Sequence, residues 1–242
     1  MYAESAPYDG DVLAASYDLI FSRRDYTAEI AFLTGVIREA GPGTASLLDV
    51  ACGPGRHLAA LAEEFPDAAG VDLSEAMVSL AAERVPEGVP VTLGDMRDFD
   101  LGRRFGAVIC LFGSVGYMRE TPALDEAVAR MAAHLEPGGV LVVEPWHHPD
   151  TFEADRAIPV IARDDGRAIT TLIVQRVEGR HGIMDMRHTV AFGTDVHTFR
   201  EVHELGLFTD AEYRASFEAA GLSVTHRDDA PGRPGLYVGV LR

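Results

Sequence analysis

Leu47-Leu48-Asp49-Val50-Ala51-Cys52-Gly53-Pro54-Gly55-Arg56-His57-Leu58 reads as a strand, a glycine turn and the start of a helix. Glycines at 53 and 55 let backbone approach a ligand with no Cβ in the way. A dinucleotide fingerprint, G-x-G-x-x-G, needs a third glycine where Leu58 stands, so that reading fails. Asp49 lies on the strand just before the turn. A carboxylate there repels a pyrophosphate and suits a cationic ligand. The rival reading is a plain strand–helix turn.

Outward from this stretch, strands and helices alternate. Ser46–Ala51, Ala68–Leu73, Val89–Leu93, Ala107–Phe112 and Val140–Glu144 are short apolar strands. His57–Glu64, Glu75–Arg84 and Leu124–His134 carry helical spacing. Continuously apolar strands between helices predict a mostly parallel sheet covered on both faces. Residues 1–45 are expected to be helical, with apolar groups at three- and four-residue spacing in Tyr17–Phe21 and Ile30–Ile37, closed by Gly41-Pro42-Gly43. After residue 150 the pattern changes. Thr170–Val177, Ile183–Phe192 and Val196–Leu207 read as long antiparallel strands. Asp210–Ala220 is then a helix, followed by strands at Leu222–His226 and Leu236–Leu241.

The expected fold is therefore α/β, a three-layer Rossmann-like arrangement with an antiparallel β insertion before the last two strands. We expect one domain over 1–242: a helical lid (1–45), a cofactor-binding half (46–150), the β insertion (151–207) and a closing helix with two strands (208–242). An insertion at that point would lie over the strand C-termini, where ligands bind in open α/β sheets. It would form part of an acceptor pocket or a dimer contact.

Composition narrows the function. The net charge is −17, from 38 acidic and 21 basic residues. Nucleic acid is an unfavourable partner for such a chain, because phosphate binding needs a basic footprint. All the basic residues are arginine. Without lysine there is no Walker-type phosphate lysine, Schiff base or lysine nucleophile. Two cysteines, Cys52 and Cys110, are too few for a disulfide scaffold or a four-thiolate zinc site. No signal peptide or bilayer-length apolar run is read, so a soluble cytoplasmic protein is expected.

Two further acids support a ligand site. Asp72 ends the second strand, nineteen residues after Gly53, where a carboxylate can accept both hydroxyls of a ribose. Ser74 is placed to cap the next helix. Gly94-Asp95-Met96 ends the third strand, and an acid beside a flexible apolar side chain can bond an adenine amino group and cover its ring. Each acid alone is also explained as a surface turn or an N-cap. Together they fit a nucleoside with positive charge and no phosphate, which describes S-adenosylmethionine.

At these motifs the sequence resembles class I S-adenosylmethionine-dependent methyltransferases. More specifically, it is similar to the nucleotide-linked amino-sugar N,N-dimethyltransferases of antibiotic pathways, of the desosamine and mycaminose type. The resemblance includes Tyr17-Asp18-Leu19, Asp25-Tyr26, Ser46–Gly53, Gly94–Phe99, Ser114-Val115-Gly116-Tyr117 and Val143-Glu144-Pro145-Trp146. It continues through Val202-His203, Leu207-Phe208, Ala219–Leu222 and Gly235–Gly239. It implies cofactor contacts from Tyr17, Tyr26, Asp49, Ala51, Gly53, Gly55, Asp72, Leu73, Met77, Asp95, Met96 and Phe112. Pro54, His147-His148 and Pro234 depart from the usual pattern.

On the acceptor side the resemblance implies Ser114, Glu144, Trp146, His203 and Arg233, with Tyr117 and Tyr8 as catalytic candidates. Tyr117 is read either as orienting an amine or accepting its proton, or as packing. Trp146 is read as a wall for a sugar or base, or as core. His203 is read as substrate-side or as an exposed strand histidine. In a chain without lysine a diphosphate needs arginine, and the resemblance implies Arg233, which corresponds to the family's arginine before the last strand. His147 and His148 are adjacent on an extended segment and point to opposite sides, so no metal is assigned. The expected function is N-methyl transfer to a dTDP-linked amino-deoxysugar, with a possible homodimer, no nucleic-acid partner and no membrane. The alternatives are an N- or O-methyltransferase for another small metabolite, and a non-catalytic protein that binds the cofactor.

Overall fold

The computed structural model describes residues 3–4, 17, 19–20, 24–229 and 234–242. A short strand β1 (Ala3–Glu4) precedes helix α1 (Tyr26–Ala40). Then come β2 (Ser46–Val50), α2 (Arg56–Glu64), β3 (Asp67–Asp72), α3 (Glu75–Arg84), β4 (Val91–Leu93) and β5 (Phe105–Cys110). A 3-10 turn (Ser114–Met118) leads to α4 (Thr121–Ala133) and β6 (Leu135–Val143). Four longer strands follow: β7 (Arg156–Asp164), β8 (Arg167–Glu178), β9 (His181–Phe192) and β10 (Asp195–Gly206). The chain closes with α5 (Asp210–Ala219), β11 (Leu222–Arg227) and β12 (Leu236–Leu241).

Seven strands form the main sheet in the order β11-β12-β6-β5-β2-β3-β4. β4, β3, β2, β5 and β6 are parallel, and β12 runs antiparallel between β6 and β11. Alternation along each central strand explains the continuous apolar runs. In β2, Leu48 and Val50 pack with Leu124, Val128 and Met131 of α4, while Leu47 faces Leu33 and Ile37 of α1 and Leu58 of α2. In β5 and β6 the residues divide in the same way, so the sheet is apolar on both faces and helices cover both. This is the expected three-layer α/β fold.

The second sheet has the order β1-β10-β9-β8-β7, and β7 to β10 form an antiparallel meander. It is the expected β insertion before the last two strands. The N-terminal expectation needs correction: the region 1–45 is not helical throughout. Ala3–Glu4 is a strand that pairs in parallel with Phe199–Arg200 of β10. A two-residue edge strand has no periodicity of its own, because its partner lies nearly two hundred residues away.

Candidate active site

Reversal of strand order between β2 and β5 opens a crevice at their C-terminal ends, the usual ligand position in such sheets. A cavity of about 1330 Å³ lies there, roofed by β8, β9 and β10 of the second sheet. Clefts that take one drug-sized ligand run to roughly 300–1,000 Å³, so this one is larger than a single such ligand requires.

Both central strands end in strained backbone. Ala51 and Phe112 have φ of 59°, in the left-handed region that residues with a Cβ rarely adopt. These turns aim the following loops at the crevice. Gly53, also left-handed, presents open space where a Cβ would stand, so a ligand can lie against its backbone. Gly55 has a different task. A Cβ there would come within 3.0 Å of Ala81 in α3, so Gly55 allows the two helices to approach and does not line the cavity.

Asp49 is 2% exposed, yet it borders the cavity. No hydrogen-bond donor or cation among the described residues reaches its carboxylate. Burial, and then the charge of Asp72, push its carboxyl well above the ordinary range. A buried acid facing open volume calls for a cationic ligand. At Asp72, Oδ2 accepts the Gly53 N–H at 2.7 Å and Oδ1 accepts the Ser74 N–H at 2.9 Å. Burial raises the Asp72 carboxyl as well, and these backbone bonds offset part of the rise. Each oxygen keeps a lone pair for a diol. Ser74 caps α3 as expected, accepting the Met77 N–H at 3.3 Å. Leu73, 69% exposed, and Met96 line the same cavity.

These features fit S-adenosylmethionine. Asp49 matches the cationic methionine portion, Gly53 the close approach, Asp72 the ribose, and Leu73 with Met96 the adenine faces. Asp95 fits less simply. Arg97 grips its carboxylate, with Nε at 3.0 and 3.1 Å from the two oxygens, and these bonds lower its pKa. An adenine amino group would share an acceptor already in use.

Of the residues singled out in the sequence, Tyr17, Tyr26, Ala51, Met77, Phe112, Ser114, Tyr117 and Trp146 also line the cavity. Ser114 donates to the Leu111 carbonyl at 2.8 Å and so shapes its own turn. Glu144 lies behind the wall, 4% exposed, where it accepts the Phe112 N–H at 2.9 Å. His203 is also behind the wall, 1% exposed, with Nδ1 2.6 Å from the Tyr117 hydroxyl. The exposed-strand alternative for His203 is thereby excluded. Tyr8 and Arg233 lie outside the described residues. The two adjacent histidines diverge: His148 Nδ1 lies 2.8 Å from the Phe208 carbonyl, whereas His147 stacks edge-on against Trp146 and Phe152.

Sequence reasoning missed several groups. Glu29 of α1 bonds His57 of α2 at 3.1 Å and Arg24 at 2.7 Å, and the Arg24 guanidinium sits 3.9 Å above the Phe112 ring. This ties α1 over the crevice. Val160, Ile173, Met184 and Met186 of the second sheet supply an apolar wall. Gly182 makes room for the indole, since a Cβ there would lie 2.6 Å from Trp146 Cζ3. The alternation of β8 and β9 was legible, but which face would cover a ligand was not.

Comparison with known proteins agrees with this geometry. A family model described as a methyltransferase domain matches residues 47–139. The dTDP-3-amino-3,4,6-trideoxy-alpha-D-glucopyranose N,N-dimethyltransferase of Streptomyces venezuelae is 46% identical over 227 residues, covering 93% of this chain and 95% of its own. The crystal structure of Streptomyces venezuelae DesVI superposes with a TM-score of 0.91 at 44% identity, covering 97% of this chain and 100% of that one. The S-adenosylmethionine-bound structure of CalS10, an amino pentose methyltransferase from Micromonospora echinaspora, superposes at 0.85 with 38% identity, covering 97% and 98%. No described helix is long and apolar enough to cross a membrane. The chain belongs to the S-adenosylmethionine-dependent methyltransferases, in one family with the dTDP-amino-sugar N,N-dimethyltransferases.

Proposed function

We propose that this enzyme methylates the amine of a dTDP-linked amino-deoxysugar in natural-product sugar biosynthesis. The observation that carries the reading is the cavity, whose acidic end suits S-adenosylmethionine and whose other end holds Tyr117 and Trp146. Similarity to dTDP-amino-sugar N,N-dimethyltransferases over nearly the whole chain supports the substrate class. When bound, S-adenosylmethionine supplies an electrophilic sulfonium methyl.

The protein's part is mostly positioning. Asp49 holds the cationic portion of the cofactor and Asp72 its ribose. Tyr17 and Tyr26 close the cofactor end, and Met184, Met186 and Trp146 exclude water from the other. A neutral amine held about 3–3.5 Å from the methyl needs little further activation, because positioning alone supplies roughly 7–11 kcal/mol of such a barrier. Tyr117 offers its oxygen to an amine N–H, which turns the nitrogen lone pair toward the methyl. Tyr8 is assigned beside it on sequence grounds. Arg233 is assigned to the diphosphate. In support, β12 begins at Leu236 and its second residue, Tyr237, pairs with Val143, so the chain enters β12 at the ligand edge of the sheet. A homodimer is part of the proposal too. Ile161, Leu172 and Val196 stand exposed on the face of the second sheet turned away from the cavity.

A panel of dTDP-amino-sugars, free amino-sugars, simple amines and phenols, each with labelled cofactor, tests the reading. N-methylation confined to nucleotide-linked sugars is expected, and Arg233→Ala should raise KM far more than it lowers kcat. Equal use of free amines, or O-methyl products, would replace this reading with that of a general small-molecule methyltransferase.

A further inference from the structure

Behind Tyr117 runs a buried polar chain that neither the cofactor contacts nor the acceptor wall requires. His203 Nδ1 is 2.6 Å from Tyr117 Oη, and its Nε2 is 3.7 Å from Glu201 Oε2. His188 Nε2 approaches the same oxygen at 3.3 Å, and His188 Nδ1 is 2.9 Å from Thr171 Oγ1. Glu201 and His203 are 1% exposed, His188 0% and Thr171 2%. Two strands, β9 and β10, thus place a carboxylate between two imidazoles in the sheet face that roofs the cavity, and β8 adds the Thr171 hydroxyl.

Register settles which groups face this cluster. Opposite partners share a face, so Glu201, Met186 and Ile173 stand together, as do His203, Met184 and Gln175, and Phe199, His188 and Thr171. Phe199 stacks on His188 at 4.6 Å. Asp185, Arg187 and Arg200 occupy the alternate positions and project from the opposite face. Within the sheet, the titratable groups beside the cluster on this face are its own members, with Gln175 and Thr171 as neutral polar neighbours; Tyr117 meets it from the 3-10 turn, and Glu201, His203 and Tyr117 make further contacts besides.

A buried carboxylate persists only when positive charge or strong donors meet it. Glu201 Oε2, 3.7 Å away, makes no hydrogen bond to His203 Nε2, but its charge favours a proton on that nitrogen, which leaves Nδ1 to accept the Tyr117 O–H. The phenol oxygen then keeps its lone pairs for the cavity. We propose that His203, Glu201 and His188 are positioning residues of a proton store that acts through Tyr117 and takes the proton released when the acceptor amine is methylated. The proposal rests on the N-methyl-transfer reading above.

The step balances. The amine lone pair forms the new N–C bond as the C–S bond breaks, and that electron pair leaves with sulfur. The nitrogen, now cationic, passes its proton to the Tyr117 oxygen while the Tyr117 hydroxyl proton moves to His203 Nδ1. The imidazolium so formed faces the Glu201 carboxylate. The proton returns to solvent through Tyr117 when product leaves. Removing it restores a neutral nitrogen, which a further methylation of the same amine requires.

The test is the pH dependence of kcat in the holoenzyme with a dTDP-amino-sugar, for wild type, Glu201→Gln, Tyr117→Phe and the double variant. Glu201→Gln should lower kcat by roughly 10–100-fold. Loss of the carboxylate makes His203 a weaker base, so the midpoint of the rising limb should fall by about one pH unit. In the Tyr117→Phe background the same change should have no further effect, because the store acts through that hydroxyl. Cofactor affinity by calorimetry should be unchanged throughout. If Glu201→Gln does not fold, His188→Asn keeps a partner for Thr171 and frees Glu201 to act on His203 alone, so the midpoint should rise. An unmoved midpoint, or additive losses in the double variant, overturns the proposal while leaving the enzyme's function intact. A wild type that methylates no nucleotide-linked amino-sugar overturns both readings.

Discussion

The β2–β3–β4 end of the cavity and the β8–β9–β10 end are assembled on opposite plans. At the first, each polar group sits on or just after its own parallel strand: Asp49 in β2, Asp72 at the end of β3, Asp95 just after β4. Neighbouring strands contribute one acid apiece, and the helices between them reach the site only with their first turns, through Arg56, His57, Glu75 and Met77. At the second, groups meet across the sheet, as Glu201 meets His188, or receive a side chain from outside it, as Gly182 receives the Trp146 indole from the loop after β6. The first plan holds a common ligand with groups that a short motif encodes. The second builds the acceptor side from side chains on a roof that is separate in the chain from the cofactor end. The two ends should therefore respond independently to mutation.

The largest separation is expected at Asp49. Asp49→Asn removes the buried charge that meets the cationic cofactor, a loss of about 2–5 kcal/mol in cofactor binding by calorimetry. The same change should raise the melting temperature of the ligand-free protein at neutral pH. The sign follows from burial. A carboxyl whose folded pKa is raised binds its proton more tightly folded than unfolded, so stability is lost as pH rises from the unfolded value toward the raised one. A neutral isostere removes that loss. Weaker binding with a lower melting temperature would make Asp49 structural.

Asp72→Ala should weaken cofactor binding by about 1.5–3 kcal/mol, since hydrogen bonds to a charged group and the clamp on Gly53 go together. Nucleotide-sugar affinity should stay unchanged. Gly182→Val sharpens the comparison from the other side. It drives a side chain into Trp146, and overpacking of this kind costs about 1–3 kcal/mol. KM for the sugar should rise while cofactor affinity holds. A matching fall in cofactor affinity would mean that the two ends are one coupled unit.

The smallest effect is expected away from the cavity, at Glu212. Burial would raise its carboxyl, but the Thr209 N–H, Arg180, and the Thr121 and Thr209 hydroxyls outweigh burial and bring it to about 2. Stability from a depressed carboxyl is present above the unfolded value of about 4.3 and is lost as pH falls toward 2. Glu212→Gln should therefore lower stability at pH 7 by about 1–2 kcal/mol, including its share of the α5 capping box, and the deficit should shrink in acid. Denaturant titrations at pH 7 and pH 3 measure both.

The same contrast explains what the sequence could disclose. Gly53, Asp72 and the Gly94-Asp95 corner were legible because each belongs to a strand–turn–helix unit whose parts are neighbours in the chain. The apolar runs of β2, β5 and β6 disclosed a sheet buried on both faces, and the loss of helical spacing after residue 150 disclosed the second sheet. Gly55, expected as a ligand contact, is found packed close to Ala81, and a glycine needed there looks the same in sequence as one needed against a cofactor. The Glu29–His57 bond spans twenty-eight residues, and the Glu201–His188 contact depends on the exact pairing of β9 with β10. No local pattern carries such information. His203 was found only through family resemblance, and its burial behind Tyr117 came from the fold.

The central claim is that the two ends meet at Tyr117, with the amine between the cofactor methyl and the roof of the second sheet. A crystal structure of the enzyme with S-adenosylhomocysteine and a dTDP-amino-sugar tests this most directly. The account predicts the amine nitrogen within hydrogen-bond reach of Tyr117 Oη and in line with the sulfur, with the sugar ring under Trp146 and Met184. A sugar bound on the outer face of the second sheet, or an amine turned away from both Tyr117 and the sulfur, would contradict it.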